Sequence, residues 1–468
     1  MNNRLQPDRD YGALIEASVP HTNASNGNGG NGSWTARARS TVADQARRPM
    51  VYGALVIFAW LYYYRPEDFI PGLNYIPMAK ITGIFAIVAL LAGLMSSGKV
   101  KLPRSVLFLW LLLFQMFICI PTALWMGGAF STVTDKFSKA VVVATLVSMA
   151  VVTLEELRKL LWIQVSAVAL VVFFSILLRH TRNGRLEGIQ KGILENPNDL
   201  AINIAISFPL GLAFMLHSKG WKKVLWGVAL LFMALGIVLT YSRSGLLAFI
   251  LSLAVCVWEY GIKGKRRLLV ATVVVSLFVG LGSALVSSSY RARVESIALG
   301  NIEGSNDRGS LEARKTLLKK ALMTAVTHPL LGVGPGCFVI VDKGWVVAHN
   351  TYGEIAAESG LPGLALFLLT IWAAFKNIAQ VRKSLWYRED AEFRLFTQAL
   401  WACLVAYLMG AAFASTEFNL YPYFMVGYTC AMAQIVTQPL PAGKRNGETM
   451  FGRLSYDRIT RSQATLAR

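Results

Sequence analysis

The chain repeats apolar runs of roughly 17 to 22 residues between short polar connectors, close to the ~20 residues a helix needs to cross a ~30 Å hydrocarbon core. Built as helices, such runs satisfy their backbone polar groups internally, which lipid demands. Hydrophobic residues make up 54% of the 468 and charged residues only 15%, a balance outside the range of a water-soluble globular domain. The expected fold class is therefore all-α: a polytopic membrane protein with about twelve transmembrane helices and one long, partly helical external loop.

The runs fall at 50–63, 79–96, 105–122, 138–152, 159–178, 199–216, 223–240, 244–261, 267–286, 362–378, 396–414 and 419–437. Five domains follow: a tail over 1–48, nine spans within 49–286, the long loop over 287–361, three spans within 362–437 and a second tail over 438–468. The first tail carries NASNGNGGNGS, too poor in apolar groups to offset its ordering entropy, and is expected to be disordered. It lacks the apolar core and cleavage site of a secretory signal.

A net charge of +20 invites a nucleic-acid reading, but much of the Lys and Arg lies in connectors where membrane topology accounts for it. The alternation predicts both termini in the cytoplasm, with Lys99, Lys101 and Arg104, then Arg158 and Lys159, then Lys219, Lys222 and Lys223, then Lys263, Lys265, Arg266 and Arg267, and finally Arg382, Lys383 and Arg388 on the same side. The cysteines lie mostly within apolar runs without C-x-x-C spacing, so neither a disulfide framework nor a metal site is expected.

Three external connectors break the charge rule. One holds Arg179, Arg182, Arg185 and Lys191; a tight turn, YSRSG, holds Arg243; the long loop holds Arg291, Arg293, Arg308, Arg314, Lys315, Lys319 and Lys320. Cations kept where topology disfavours them fit an anionic ligand at the outer face. For Arg243 the alternative is snorkelling to lipid headgroups; for Arg185 and Arg314 it is a solvated or lipid-facing position.

Within the long loop, SLEARKTLLKKALMTAVTHP reads as an amphipathic helix with Leu317, Leu318, Ala321, Leu322 and Ala325 on one side. LLGVGPGCF lacks the Lys-Ser/Thr of a phosphate-binding P-loop and reads as a turn. Thr351 and Glu354 then read as a capping box opening a short helix that Gly360 ends, with Pro362 in the first turn of the next span. His349 precedes that helix, where the positive end of the helix dipole keeps its imidazole neutral and able to take a proton from a hydroxyl. The alternative is a histidine that caps or packs at the membrane surface. In Asn196-Pro197-Asn198-Asp199 a helix start is expected, with Asn198 or Asp199 as cap. Glu67 and Asp68 form a weak rival site for a divalent metal, with no second acidic cluster to support it.

Taken in order, NPNDLA, YSRSGLLA, HPLLGVGPGCF and HNTYGEIAAESGLPG, between about Arg185 and Phe367, resemble the O-antigen ligase and O-antigen polymerase family. The resemblance implies an inner-membrane glycosyltransferase of bacteria that uses no metal or other cofactor. It would take a glycan from an undecaprenyl-pyrophosphate carrier at the periplasmic face and join it to an acceptor hydroxyl, on the lipid A core in a ligase or on the next repeat unit in a polymerase. By motif position the family's two essential arginines fall on Arg243 and Arg314, with Arg308 a competing match for the second, and its essential histidine on His349. Arg185, Arg308, Asn196 and Asn350 are the expected substrate-binding residues. The expected partners are the lipid-linked donor, the acceptor and membrane lipids, with no nucleic acid. A flippase with a cationic outer vestibule is the rival from another class, disfavoured because the spans are nearly free of charge.

Overall fold

The computed structural model describes residues 49–66, 75, 81–85, 87–88, 102–182, 184–189, 194–264, 305–341 and 346–438. Among them the chain is almost wholly helical: α1 (Pro49–Tyr64), α2 (Arg104–Cys119), α3 (Met126–Ser131), α4 (Ser138–Ala150), α5 (Leu154–Leu177), α6 (Pro197–His217), α7 (Trp221–Leu239), α8 (Arg243–Cys256), α9 (Ser305–Thr327), α10 (Phe338–Val341), α11 (Thr351–Val381), α12 (Leu385–Glu389), α13 (Ala391–Ala411) and α14 (Tyr421–Ile435). Among the described residues the single sheet is a hairpin of two-residue strands, β1 (Thr181–Arg182) against β2 (Arg185–Leu186).

Among the described residues, seven helical segments are long and apolar enough to cross a membrane: Arg104–Thr122, Leu154–Leu177, Pro197–His217, Trp221–Leu239, Arg243–Ile262, Thr351–Val381 and Ala391–Ala411. The expected spans 50–63, 138–152 and 419–437 correspond to the shorter α1, α4 and α14, while 267–286 and most of 79–96 lie outside the described residues. The 138–152 run starts earlier than its hydropathy suggests, because α3 continues through a π-helical stretch, Thr132–Phe137, directly into α4. Asp135, Lys136 and Lys139 hide that continuity from an apolar window.

The deeply buried α6 forms the middle of the bundle, against α13, α8 and α7. Close approach there needs small residues: a Cβ on Gly245 of α8 would lie 2.2 Å from the Ala201 Cβ of α6. Helices α2 and α7 are peripheral and turn Trp110, Phe114, Phe117, Val224, Val228 and Leu231 outward, the arrangement expected where lipid is the solvent.

The polar contacts separate the bundle into two ends. At one, Arg158 (start of α5) pairs with Glu392 (start of α13) at 3.0 Å, and Arg382 (after α11) with Glu259 (beyond α8) at 3.2 Å. Gln438, after α14, donates to the Val152 carbonyl. The start of α6, the α7–α8 turn, the start of α11 and the end of α13 meet at the other. Arg158 and Arg382, from two of the predicted cationic connectors, thus lie at one end of the fold.

Local details differ from the sequence expectations at three points. Asn196, not Asn198 or Asp199, caps α6, its Oδ1 accepting the Asn198 N–H at 2.8 Å with Pro197 in the first turn. Asn350, not Thr351, caps α11, its Oδ1 accepting the Gly353 N–H at 2.7 Å. Thr351 instead gives its hydroxyl to the Ala414 carbonyl. On α9, Leu317, Ala321 and Ala325 are buried as expected but Leu322 is exposed, so the helix has a second apolar face.

Candidate active site

The α7–α8 turn holds Arg243. After Thr240 the chain passes Tyr241 at φ 48° to Ser242, whose Oγ caps α8 by accepting the Gly245 N–H. Ser242 Oγ also donates to Asn198 Oδ1 at 2.9 Å, and Arg185 Nη2 donates to the same oxygen at 2.8 Å. Arg185 Nε donates to the Thr240 carbonyl at 2.9 Å. Hairpin, α6 start and turn are therefore tied in one knot, and Arg243 occupies the first turn of α8 directly beside it. Arg185 and Asn196, expected as ligand contacts, serve here as parts of this support.

A second knot holds His349. The residue stands at φ 53°, a left-handed conformation that non-glycine residues adopt only when their surroundings impose it. Its N–H donates to Ser415 Oγ at 3.1 Å; that hydroxyl donates in turn to Glu354 Oε2, which also accepts the Ala348 N–H at 3.2 Å. Asn350 Nδ2 donates to the Ala412 carbonyl at 2.8 Å. The entry to α11 is stitched in this way to the segment following α13. Glu417, in that segment, is buried, and desolvation followed by the charges of Glu354 and Glu358 pushes its carboxyl well above the usual range.

A third element joins the two. The helix α11 breaks at Gly360 (φ 72°, ψ 179°), freeing carbonyls that would otherwise bond within the helix. Val333 N–H and Gly334 N–H, from the glycine-rich turn, donate to the Ala357 and Glu358 carbonyls at 2.9 and 3.0 Å. The Glu358 carboxylate accepts the Gly336 and Phe338 N–H groups at 2.7 and 3.1 Å. The turn at the end of α9 is thereby locked to α11, and α9 packs along α11 with Leu317 and Ala321 inward.

This packing brings Arg314 on α9 to the two knots. Burial, and next the charge of Arg243, lower the Arg314 pKa; burial, and next the charge of Arg314, hold the His349 imidazole below its ordinary 6.5. Arg243, Arg314 and His349 therefore share one half-buried, electropositive locus at one end of the bundle, although 71 residues separate Arg243 from Arg314 and 35 separate Arg314 from His349. Two guanidiniums beside a neutral imidazole can hold an anion and accept a proton next to it. Asn350 lies at this locus as a cap. The side chain of Arg308 is outside the described residues, as are Glu67 and Asp68.

Sequence reasoning missed Ser242, Glu358 and Ser415 as supports, and read Asn198 and Glu354 only as helix-start residues. Glu354 and Glu358 carry a signal, since a four-residue spacing sets both on one helix face. Ser415 carries none, because its contact with His349 spans 66 residues.

Residues 228–368 match the family model described as O-antigen ligase, a segment that includes Arg243, Arg314, His349 and the glycine-rich turn. The exopolysaccharide production protein ExoQ of Rhizobium meliloti (strain 1021) is similar as well, 24% identical over 306 residues that cover 61% of this chain and 68% of that one. Over a segment that spans the whole Arg243–Arg314–His349 locus, the chain is thus similar to the O-antigen ligase family, and more distantly to an exopolysaccharide production protein.

Proposed function

We propose that this protein is an inverting, metal-independent glycosyltransferase of a bacterial inner membrane, with about twelve spans, both termini cytoplasmic and its site at the periplasmic face. The donor is a glycan on a polyprenyl pyrophosphate, undecaprenyl pyrophosphate by family expectation. Arg243 and Arg314 grip the pyrophosphate, and His349 is the base. The acceptor hydroxyl attacks the anomeric carbon and its proton passes to the imidazole. The bond from that carbon to the phosphate oxygen breaks, and its electron pair leaves with the lipid pyrophosphate. That leaving group is already anionic and weakly basic, so its departure calls for charge stabilisation rather than an acid. Direct displacement inverts the anomeric centre.

The observation that supports this reading is that Arg314 lies near enough to both Arg243 and His349 for its charge to act on each. A neutral base beside fixed cations suits removal of a hydroxyl proton next to a diphosphate. The lipid A core is the acceptor in a ligase. The printed name of the Rhizobium relative, an exopolysaccharide production protein, favours the second reading, in which the acceptor is another lipid-linked repeat unit.

Reconstitution with a lipid-linked glycan and both acceptor types tests the proposal, with the sugar-bearing product and its anomeric configuration as readouts. His349→Ala is expected to lower transfer by at least about a hundredfold while donor binding persists. Movement of the lipid-linked glycan across the bilayer with no new glycosidic bond would identify a flippase instead, and a product retaining the donor's configuration would remove direct displacement.

A further inference from the structure

The helix α9 has two apolar faces, and the bundle covers only one. Leu317, Ala321, Thr324 and Ala325 pack inward toward α11. At 100° per residue, Leu322, Met323 and Val326 lie across the helix axis from that face and are 53, 59 and 78% exposed. With Leu318 they line an open trough of about 470 Å³, at whose N-terminal end stand Lys315 and Lys319. The outward face is thus cationic midway along the helix, at Lys315 and Lys319, and apolar toward its C-terminus.

The apolar end of this face continues into surfaces already assigned to lipid. Leu330, three residues beyond α9 and 69% exposed, has its carbonyl bonded by Gln115 Nε2 of α2 at 2.9 Å. Gln115 lies one turn before the end of α2, a candidate membrane span whose Phe114, Phe117 and Ile118 are exposed around it. The Pro329 carbonyl accepts the N–H of Leu361, itself exposed, at the start of the second half of α11. Leu124 bonds the Val333 carbonyl through its N–H and is followed by Trp125 and Met126, all three exposed. The end of α9 is therefore level with the last turns of membrane-crossing helices and joined to them by hydrogen bonds.

We propose that the C-terminal half of α9 and the turn after it are embedded in the bilayer interface, with Leu322, Met323, Val326 and Leu330 among acyl chains and Lys315 and Lys319 at the phosphate headgroups. Cations midway along the helix and an apolar finish fit a helix whose C-terminal half enters the membrane obliquely, and they suit anionic lipid. The long external segment is in this respect part of the membrane-bound body. The inference concerns lipid contact and stands whatever reaction the site performs.

Spin labels on single introduced cysteines decide it. The five native thiols are buried, and the unsubstituted protein checks that they stay unlabelled. Full-length Met323→Cys, Val326→Cys and Leu330→Cys proteins are reconstituted in vesicles of phosphatidylethanolamine and phosphatidylglycerol without polyprenyl lipid. Phe114→Cys serves as the lipid reference and Glu312→Cys as the water reference. The expected result is a ratio of oxygen to nickel-chelate collisions at Val326 and Leu330 several-fold above that at Glu312 and approaching that at Phe114. A ratio equal to that at Glu312 would overturn the proposal. Labels shielded from both reagents would overturn it too, since a second copy or another part of the chain would then cover the face. Met323 supplies an independent position should either of the other variants reconstitute poorly.

Discussion

His349 is held through its backbone, and that dictates how it should fail. Ser415 Oγ accepts its N–H and passes the contact on to Glu354, so losing the hydroxyl loosens a left-handed residue without touching the imidazole. Ser415→Ala is expected to lower kcat roughly ten- to a hundredfold with little change in donor KM, and Ser415→Thr to restore part of it. Steady-state kinetics on reconstituted protein measure both. The charge environment gives a second test. Desolvation, then Arg314, disfavour the imidazolium, so the folded pKa lies below 6.5. A base must be neutral to act, and the rate should fall only as pH drops through that lowered value. Arg314→Gln removes one of the two causes, so the acid limb of its residual activity should move up toward the ordinary histidine value. A limb that stays in place would separate Arg314 from the histidine.

Among the elements, the broken helix α11 decides the most. Its first half presents His349 and accepts the glycine-rich turn, and its second half continues as a candidate span. Gly360 lies between them in a region of φ and ψ that is essentially closed to other residues, and a Cβ there would stand 2.5 Å from the carbonyl carbon and oxygen of Leu330. Gly360→Ala should therefore cost about 1–3 kcal/mol and lower the Tm of the solubilised protein, with the turn carrying Gly332 and Gly334 leaving its place. This break was legible in the sequence because Gly and Pro punctuate ESGLPG. The caps were legible only as to place: Asn196 and Asn350 each stand one position or more before the residues expected to cap. An Asx side chain ahead of a proline or threonine competes well for the first free N–H groups, and only the course of the incoming chain decides between neighbours. Leu322 was misplaced for a related reason. An apolar stripe on a helix does not reveal whether protein or lipid covers it.

At the scale of the whole molecule, the connector charges and the length of the apolar runs were enough to assign most of the described helices, since both follow from the bilayer itself. Ion pairs such as Arg158–Glu392 and Arg382–Glu259 gather at one end, and the Arg243, Arg314 and His349 locus at the other. What sequence could not supply is the company each cation keeps. Arg185 and Arg243 look alike in a chain, each an arginine in a short outer connector. One is committed through Nε and Nη2 to Thr240 and Asn198, and the other starts the helix that this contact steadies. Because Asn198 receives both Arg185 and Ser242, three separate stretches of the chain form one inheritable unit. A graft of YSRSG into a foreign bundle would arrive without its anchor, and a redesign of this corner has to carry the hairpin arginine, the asparagine and the serine together.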